Sequence, residues 1–260
     1  MDGLVFDQVA SLYDQARPTY PGAVFDDVAG TADLRPGSRI VEVGPGTGQA
    51  TRSLAKRGWN VTAVEPGPRL AAIAVERFAL ASNVSVVVSR FEDWSPSDAT
   101  PYDAVFAATM WHWVDPVRGY RKAASVLRPG GSLAVVETRH VLPRDGGDRF
   151  FAEMQDTYDE IMEADPRGGP PDPADVDEAL ATAITESGWF EPPTVTRHLW
   201  SQTYTAEAYI DVIRTYSNHI AMTDAQRSRL FDAIRERIGR RVDPVINKHY
   251  LNIVYVARRR

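Results

Sequence analysis

The 260-residue chain contains no cysteine, which excludes disulfides and thiolate chemistry. Lysine is almost missing: it occurs only as Lys56, Lys122 and Lys248, so the remaining 26 of 29 basic residues are arginine. With abundant alanine, that preference points to a GC-rich bacterial genome. There is no cationic surplus. Acidic residues number 35 and the net charge is −6, which argues against a nucleic-acid partner, since such binding relies on clustered Lys and Arg. The basic tail Ala257-Arg-Arg-Arg260 is too short to reverse this. No apolar run approaches the ~18–20 residues of a membrane span. Met1-Asp-Gly-Leu-Val-Phe-Asp7 lacks the basic and apolar regions of a signal peptide. The expectations are no membrane association and a cytoplasmic location. No His or acidic cluster has convincing metal-ligand spacing, so no metal is expected. No internal repeat or low-complexity segment interrupts the chain.

What is present is a glycine loop. In Arg39-Ile-Val-Glu-Val-Gly-Pro-Gly-Thr-Gly48 an apolar run (Ile40, Val41, Val43) ends in Gly44, Gly46 and Gly48, and a helical stretch from Gln49 to Arg57 follows. Strand, tight loop and helix start form a turn suited to a nucleotide-like ligand. Residues without Cβ let the backbone approach it, and the helix start offers free N–H groups. A dinucleotide fingerprint would need its third glycine at position 49, where Gln49 stands, and no P-loop lysine follows. The G-x-G-x-G spacing therefore disfavours a nicotinamide dehydrogenase. The next strand, Asn60-Val-Thr-Ala-Val64, ends at Glu65, whose carboxylate can accept hydrogen bonds from both ribose hydroxyls of an adenosine.

Around the loop, strands and helices alternate. Strands are expected near 39–43, 60–64, 84–88, 102–107 and 131–137, with helices near 49–58, 67–81 and 116–127. Two short helices precede them in residues 1–35, around Arg17-Pro-Thr-Tyr-Pro21. Repeated β-α units imply a parallel sheet with its ligand beyond the strands' C-terminal ends. The rhythm then changes. A helix at about 148–164, the Pro- and Gly-rich loop 165–173 and a helix at about 174–187 precede a strand near 194–199. Helices near 205–217 and 224–239 and a strand over 250–257 complete the chain. The predicted fold is α/β: a Rossmann-like, seven-stranded, mostly parallel sheet whose last strand is antiparallel, with helices on both faces and a helical cap. Residues 1–137 would hold the N-terminal helices and the cofactor-binding core, 138–193 a cap insertion, and 194–260 the remaining strands and cap helices of the same domain.

The loop Glu42-Val-Gly-Pro-Gly-Thr-Gly48 resembles motif I of class I methyltransferases that use S-adenosylmethionine (SAM). Three further segments are similar to a small-molecule subgroup, the type 11 and trans-aconitate-methyltransferase-like enzymes. They are Tyr13-Asp-Gln-Ala-Arg-Pro-Thr-Tyr-Pro21, the segment from Phe106 to Asp115 that ends in His112-Trp-Val-Asp115, and Leu127-Arg-Pro-Gly-Gly-Ser-Leu133. The resemblance covers residues 6 to 137. It implies SAM as cofactor, S-adenosylhomocysteine as product and a small-molecule acceptor.

Roles follow from the resemblance together with side-chain chemistry. Gly44, Gly46 and Gly48 admit the cofactor, Glu42 orders the loop and Glu65 holds the ribose. Arg17 suits the SAM carboxylate, because a guanidinium fork matches it. Tyr13 either closes over the cofactor or packs. Adenine contacts fall to the Phe91 N–H and to Glu92 or Asp93, since Arg90 stands where many relatives have an acid. Ala107 and its neighbour line the methionyl side. His112, just past strand four and facing the transfer point, is the candidate general base. Trp111, Tyr20, Tyr216 and His140 are candidate acceptor contacts. O-methylation of a specialised metabolite is the leading expectation. Carboxyl methylation and a non-catalytic SAM-binding regulator are the alternatives, and monomer and homodimer both stay open.

Overall fold

The computed structural model describes residues 3–162 and 169–260. The last two residues of the predicted 148–164 helix, and 165–168 of the following loop, lie outside the described residues. A 3₁₀ turn, Gly3–Val9, leads into α1 (Ala10–Ala16) and α2 (Gly22–Thr31). The core then runs β1 (Arg39–Val43), α3 (Thr51–Lys56), β2 (Asn60–Glu65), α4 (Pro68–Arg77), β3 (Val84–Val88), β4 (Tyr102–Ala108), α5 (Pro116–Val126) and β5 (Leu127–Val141). It continues with α6 (Phe150–Glu153), α7 (Gln155–Met162), α8 (Ala179–Glu186), β6 (Thr194–Thr205), α9 (Ala206–Arg214), α10 (Ser217–Ile220), α11 (Asp224–Gly239) and β7 (Val245–Arg258).

All seven strands form one sheet in the order β3-β2-β1-β4-β5-β7-β6. β1 to β5 pair in parallel, and β7 runs antiparallel between β5 and β6. The order reverses beside β1, so the loops after β1 and β4 diverge there and open a crevice at the strands' C-terminal ends. Two apolar layers hold the sheet. Ile40, Phe106, Ala134, Val136 and Val254 pack against Val24, Phe25 and Leu54 on one face. Val41, Val105, Val135, Ile253 and Tyr255 pack with Tyr120, Ala124 and Ile184 on the other. Strand side chains alternate between faces, so each strand feeds both layers.

Several elements differ from the periodicity reading. The helix expected from Gln49 begins at Thr51, after a turn that closes the glycine loop. The one predicted at 148–164 is broken at Met154 between α6 and α7. A 3₁₀ turn, Pro173–Asp175, and α8 replace the single helix at 174–187. The last two strands are much longer than their apolar stretches, because Thr194 to Thr205 pair residue by residue with Val256 to Val245. Polar Ser201, Gln202, Asn247 and Lys248 obscure that extension in the sequence.

The extended strand ends carry the cap. Phe150, Met154, Tyr209, Ile213, Leu230, Ile234 and Tyr250 form a third apolar cluster above the sheet edge. α8 takes no part in it, since Ile184 joins the layer beneath the sheet and α8 packs on β7. The interval 138–193 therefore divides between the cap and the sheet's underside. No helix among the described residues is long and apolar enough to cross a membrane.

Candidate active site

The glycine loop is left-handed at each glycine: φ is +61° at Gly44, +60° at Gly46 and +92° at Gly48. An L side chain is strained at all three. Space is short as well. A Cβ on Gly44 would collide with the Met110 side chain, one on Gly48 with the Phe78 ring, and one on Gly46 would stand 3.4 Å from the Tyr13 ring.

Two buried carboxyls brace the loop. Glu65 accepts the Gly46 N–H at 2.9 Å and the Gly67 N–H at 2.8 Å. Glu42 accepts the Thr51 hydroxyl at 2.5 Å. Burial pushes Glu42 up to about 8 and also raises Glu65, although two backbone N–H groups oppose the rise at Glu65. The N-terminal segment is stitched over this loop. Asp14 pairs with Arg77, Arg77 also donates to the Thr47 carbonyl at 2.6 Å, and Gln49 donates to the Asp14 carbonyl at 3.1 Å. Asp7 accepts the Arg69 and Leu70 N–H groups at the start of α4.

Beside the loop lies a cleft of about 950 Å³, counting its open mouth. Its walls include Tyr13, Arg17, Tyr20, Glu42, Gly44, Thr109, Thr138, His140, Trp200, Tyr216 and Tyr250. Alternation along the strands explains the selection. Thr138 and His140 on β5 share a sheet face with Asn252 and Tyr250 on β7 and with Trp200 on β6. Trp200 stacks on Tyr250, with ring centroids 4.7 Å apart and an interplanar angle of 22°. Arg17 donates to the Thr215 hydroxyl at 2.7 Å and to its carbonyl at 2.8 Å, and its guanidinium lies over the Tyr13 and Tyr216 rings. Tyr20 bonds Thr109, which bonds Thr138, each at 3.0 Å. Burial and the nearby Tyr13 phenol raise Tyr20 well above the usual tyrosine range. His140 is held neutral by burial and by the Lys248 charge, and its buried Nε2 has no hydrogen-bond partner among the described residues.

Other expected residues lie elsewhere. His112 was expected to face the transfer point, yet it does not line this cleft. The turn Trp111–Trp113 carries it to a neighbouring cleft of about 760 Å³ on the other sheet face, with Glu137, Arg139, Tyr120 and Leu180. Its imidazole is disfavoured as a cation by partial burial and by Arg139. Trp111 lines the same second cleft and packs against Phe91 and Tyr120 in the core. The Phe91 ring is buried between Trp94 and Trp111. Glu92, expected near adenine, accepts the Asp115 N–H at 2.9 Å, and Asp93 pairs with Arg118. Ala107 is wholly buried, and the cleft begins one residue later at Ala108. His219, a cap histidine, is buried and bonded to Tyr158 and Asn218.

Sequence reasoning missed Thr109, Thr138, Lys248 and Tyr250. Thr109 has φ +57°, unusual for a residue with a branched side chain, but nothing in its sequence neighbourhood announces it. The alternation of Lys248, Tyr250 and Asn252 in the final strand was the available signal.

A family model described as a methyltransferase domain matches residues 41–135. An uncharacterized methyltransferase of Mycobacterium tuberculosis is 32% identical over 257 residues, covering 98% of this chain and 93% of the relative. The chain belongs to this methyltransferase family. A ubiquinone biosynthesis O-methyltransferase of Xanthomonas axonopodis pv. citri is 38% identical over 107 residues, covering 40% of this chain and 44% of the relative. The solved structure of a protein described as a type II methyltransferase, from Anaeromyxobacter dehalogenans, shares the fold. Its TM-score is 0.64 at 23% identity, over 93% of this chain and 97% of that one.

The methyltransferase is of class I and uses SAM, and the loop suits that cofactor. Gly44, half-buried, lines the cleft with no Cβ to shield its backbone. Each Glu65 oxygen takes a single backbone N–H and keeps a second acceptor site for a ribose hydroxyl. Among the described residues no group of three or more His, Asp or Glu could hold a metal.

Proposed function

We propose that this enzyme methylates a hydroxyl group on a small, flat specialised metabolite. The observation that carries the reading is a single cleft shared by Gly44 of the cofactor loop and the stacked Trp200–Tyr250 pair. An aromatic wall suits a planar acceptor, and its quadrupole favours a nearby cation. The partial relative named for ubiquinone biosynthesis is itself an O-methyltransferase, which supports a hydroxyl acceptor.

When bound, SAM supplies an already activated methyl group. The chain's residues then have alignment and water exclusion as their main tasks, and good alignment is worth ~7–11 kcal/mol of barrier. Gly44, Gly46, Gly48 and Glu65 would hold the adenosyl part, and Arg17 the carboxylate. Tyr13 and Met110, which lie against Gly46 and Gly44, would cover the cofactor. Trp200, Tyr250, His140 and Tyr20 would orient the acceptor. Carboxyl methylation is the second reading. It is favoured by Arg17 on the cleft wall, which could hold an acidic acceptor instead of the cofactor carboxylate.

The test is calorimetric titration with SAM, S-adenosylhomocysteine and NADH in parallel, followed by transfer from methyl-labelled SAM to catechol, 4-hydroxybenzoate and trans-aconitate. Labelled catechol or a labelled 4-hydroxybenzoate ether supports the hydroxyl reading. Label on trans-aconitate alone replaces it with the carboxyl reading.

A further inference from the structure

Lys248 is 1% exposed, on β7 beneath the cleft. Its ammonium lies 5.3–5.7 Å from the ring centroids of Phe151, Tyr209, Tyr216 and Tyr250. Among the described residues no carboxylate pairs with it, and the acid it meets is the Tyr216 phenol, whose ring centroid is 5.3 Å from the ammonium and whose charge favours the protonated amine. A buried ammonium without an anion costs several kcal/mol, so such a group either sheds its proton or draws a partner into the charged form. Burial pulls Lys248 down, and Tyr216 holds it up.

Tyr216 is also flanked by a second cation. The Arg17 guanidinium carbon stands 4.6 Å from its ring centroid, fixed there by Thr215. Among the described residues the remaining groups facing it are neutral. The Tyr250 hydroxyl lies 2.9 Å from the Tyr204 hydroxyl, and both phenols feel the Tyr216 charge. Burial raises Tyr250, Tyr158 and Tyr209, and takes Tyr204 up to about 12. His219, whose ring centroid is 5.9 Å from that of Tyr216, is driven down by burial and by the Lys248 charge, as His140 is. Burial works to raise Tyr216 as well, but the Lys248 and then the Arg17 charge outweigh it, so Tyr216 alone among these phenols lies below the usual tyrosine range.

We propose that Tyr216, paired with the buried Lys248 and with Arg17, is the proton acceptor for a hydroxyl bound in the cleft. The inference rests on the hydroxyl reading above. The hydroxyl proton moves to the Tyr216 Oη, the acceptor is left as the oxyanion that attacks, and the neutral phenol returns the proton to water at the cleft mouth. Lys248 acts through Tyr216 and is a positioning residue.

The experiment is a pH titration of the tyrosinate ultraviolet band in the full chain, which holds ten tyrosines. In the wild type one tyrosine should ionise below the usual value near 10 and ahead of the rest. Tyr216→Phe should remove that step, and Lys248→Met should move it up by about one unit or more. If Lys248→Met does not fold, the wild type and Tyr216→Phe decide alone. Superimposable curves for those two overturn the inference. With catechol and labelled SAM, the wild-type rate should rise with pH and level off above the same midpoint. Tyr216→Phe should be slower by about 10²-fold and lack the rise. An equal rate in Tyr216→Phe overturns the base role and leaves the hydroxyl reading standing. An early-ionising tyrosine in an enzyme that methylates only trans-aconitate overturns the hydroxyl reading and the base role with it.

Discussion

The Glu65 carboxylate accepts the Gly46 N–H at 2.9 Å, so the end of β2 is tied directly to the middle of the glycine loop. One side chain thus holds the loop in shape, and each of its oxygens keeps further acceptor capacity. Gly46→Arg attacks this arrangement twice, through a left-handed backbone and through the nearby Tyr13 ring. A single residue in that conformation costs roughly 1–2 kcal/mol, which the fold should survive. SAM affinity should fall by about 100-fold or more, a loss of about 2.7 kcal/mol or greater. Unchanged calorimetric affinity in a folded Gly46→Arg protein would remove the loop from the cofactor site.

Arg17→Lys should be far from conservative. Lysine lacks the planar fork that grips Thr215 at two points and stacks on Tyr13 and Tyr216. Hydrogen bonds from a charged group are worth about 1.5–3 kcal/mol, so roughly a 10- to 100-fold rise in the SAM dissociation constant is expected. Equal affinity in the two proteins would mean that Arg17 serves only to hold the cap.

Glu42 should make stability fall as pH rises. Its folded carboxyl titrates at about 8 against 4.5 for the free group, so across that window the folded chain keeps a proton that the unfolded chain has released. Stability is therefore lost from about 4.5 up to about 8 and levels above it, at no more than about 1.4 kcal/mol per unit. Glu42→Gln keeps an acceptor for Thr51 and should flatten this slope in urea melts at stepped pH. Parallel slopes would assign the dependence to other groups.

His219 works in the opposite direction. Burial holds its folded form neutral down to about 4, against 6.5 for the free imidazole. The unfolded chain binds the extra proton in that interval, so stability is lost as pH falls from about 6.5 towards 4. His219→Gln should be less acid-sensitive than the wild type when thermal midpoints are compared at pH 7 and pH 5. An equal drop in both proteins would count against a buried neutral imidazole.

His112→Ala should leave SAM affinity within about 2-fold and the pH dependence of transfer unaltered, because His112 and Gly44 line different clefts. A lost pH limb in that variant would restore His112 as the base and would join the two clefts functionally.

Local sequence determined the glycine loop and the strands around it. A strand followed by three alternating glycines favours this turn, because the left-handed φ values at 44, 46 and 48 strain a residue that carries a Cβ. Glu65 is legible for the same reason: it ends the strand that pairs with β1, so its position follows from β-α repetition alone. The parallel sheet and its antiparallel final strand were legible too, since five strands with three intervening helices and right-handed crossovers leave few arrangements.

Tertiary structure decided the acceptor half. Arg17 meets Thr215, and Lys248 meets Tyr216 and Phe151, across separations of tens to hundreds of residues that no short motif encodes. The strand pleat decided the rest. His140 and Arg139 are adjacent in sequence, yet alternation sends one into the cleft beside the glycine loop and the other into the second cleft beside His112. Which face a side chain takes depends on the pairing register of β5, β7 and β6, and that register is fixed only when their apolar faces close on the two layers and the cap.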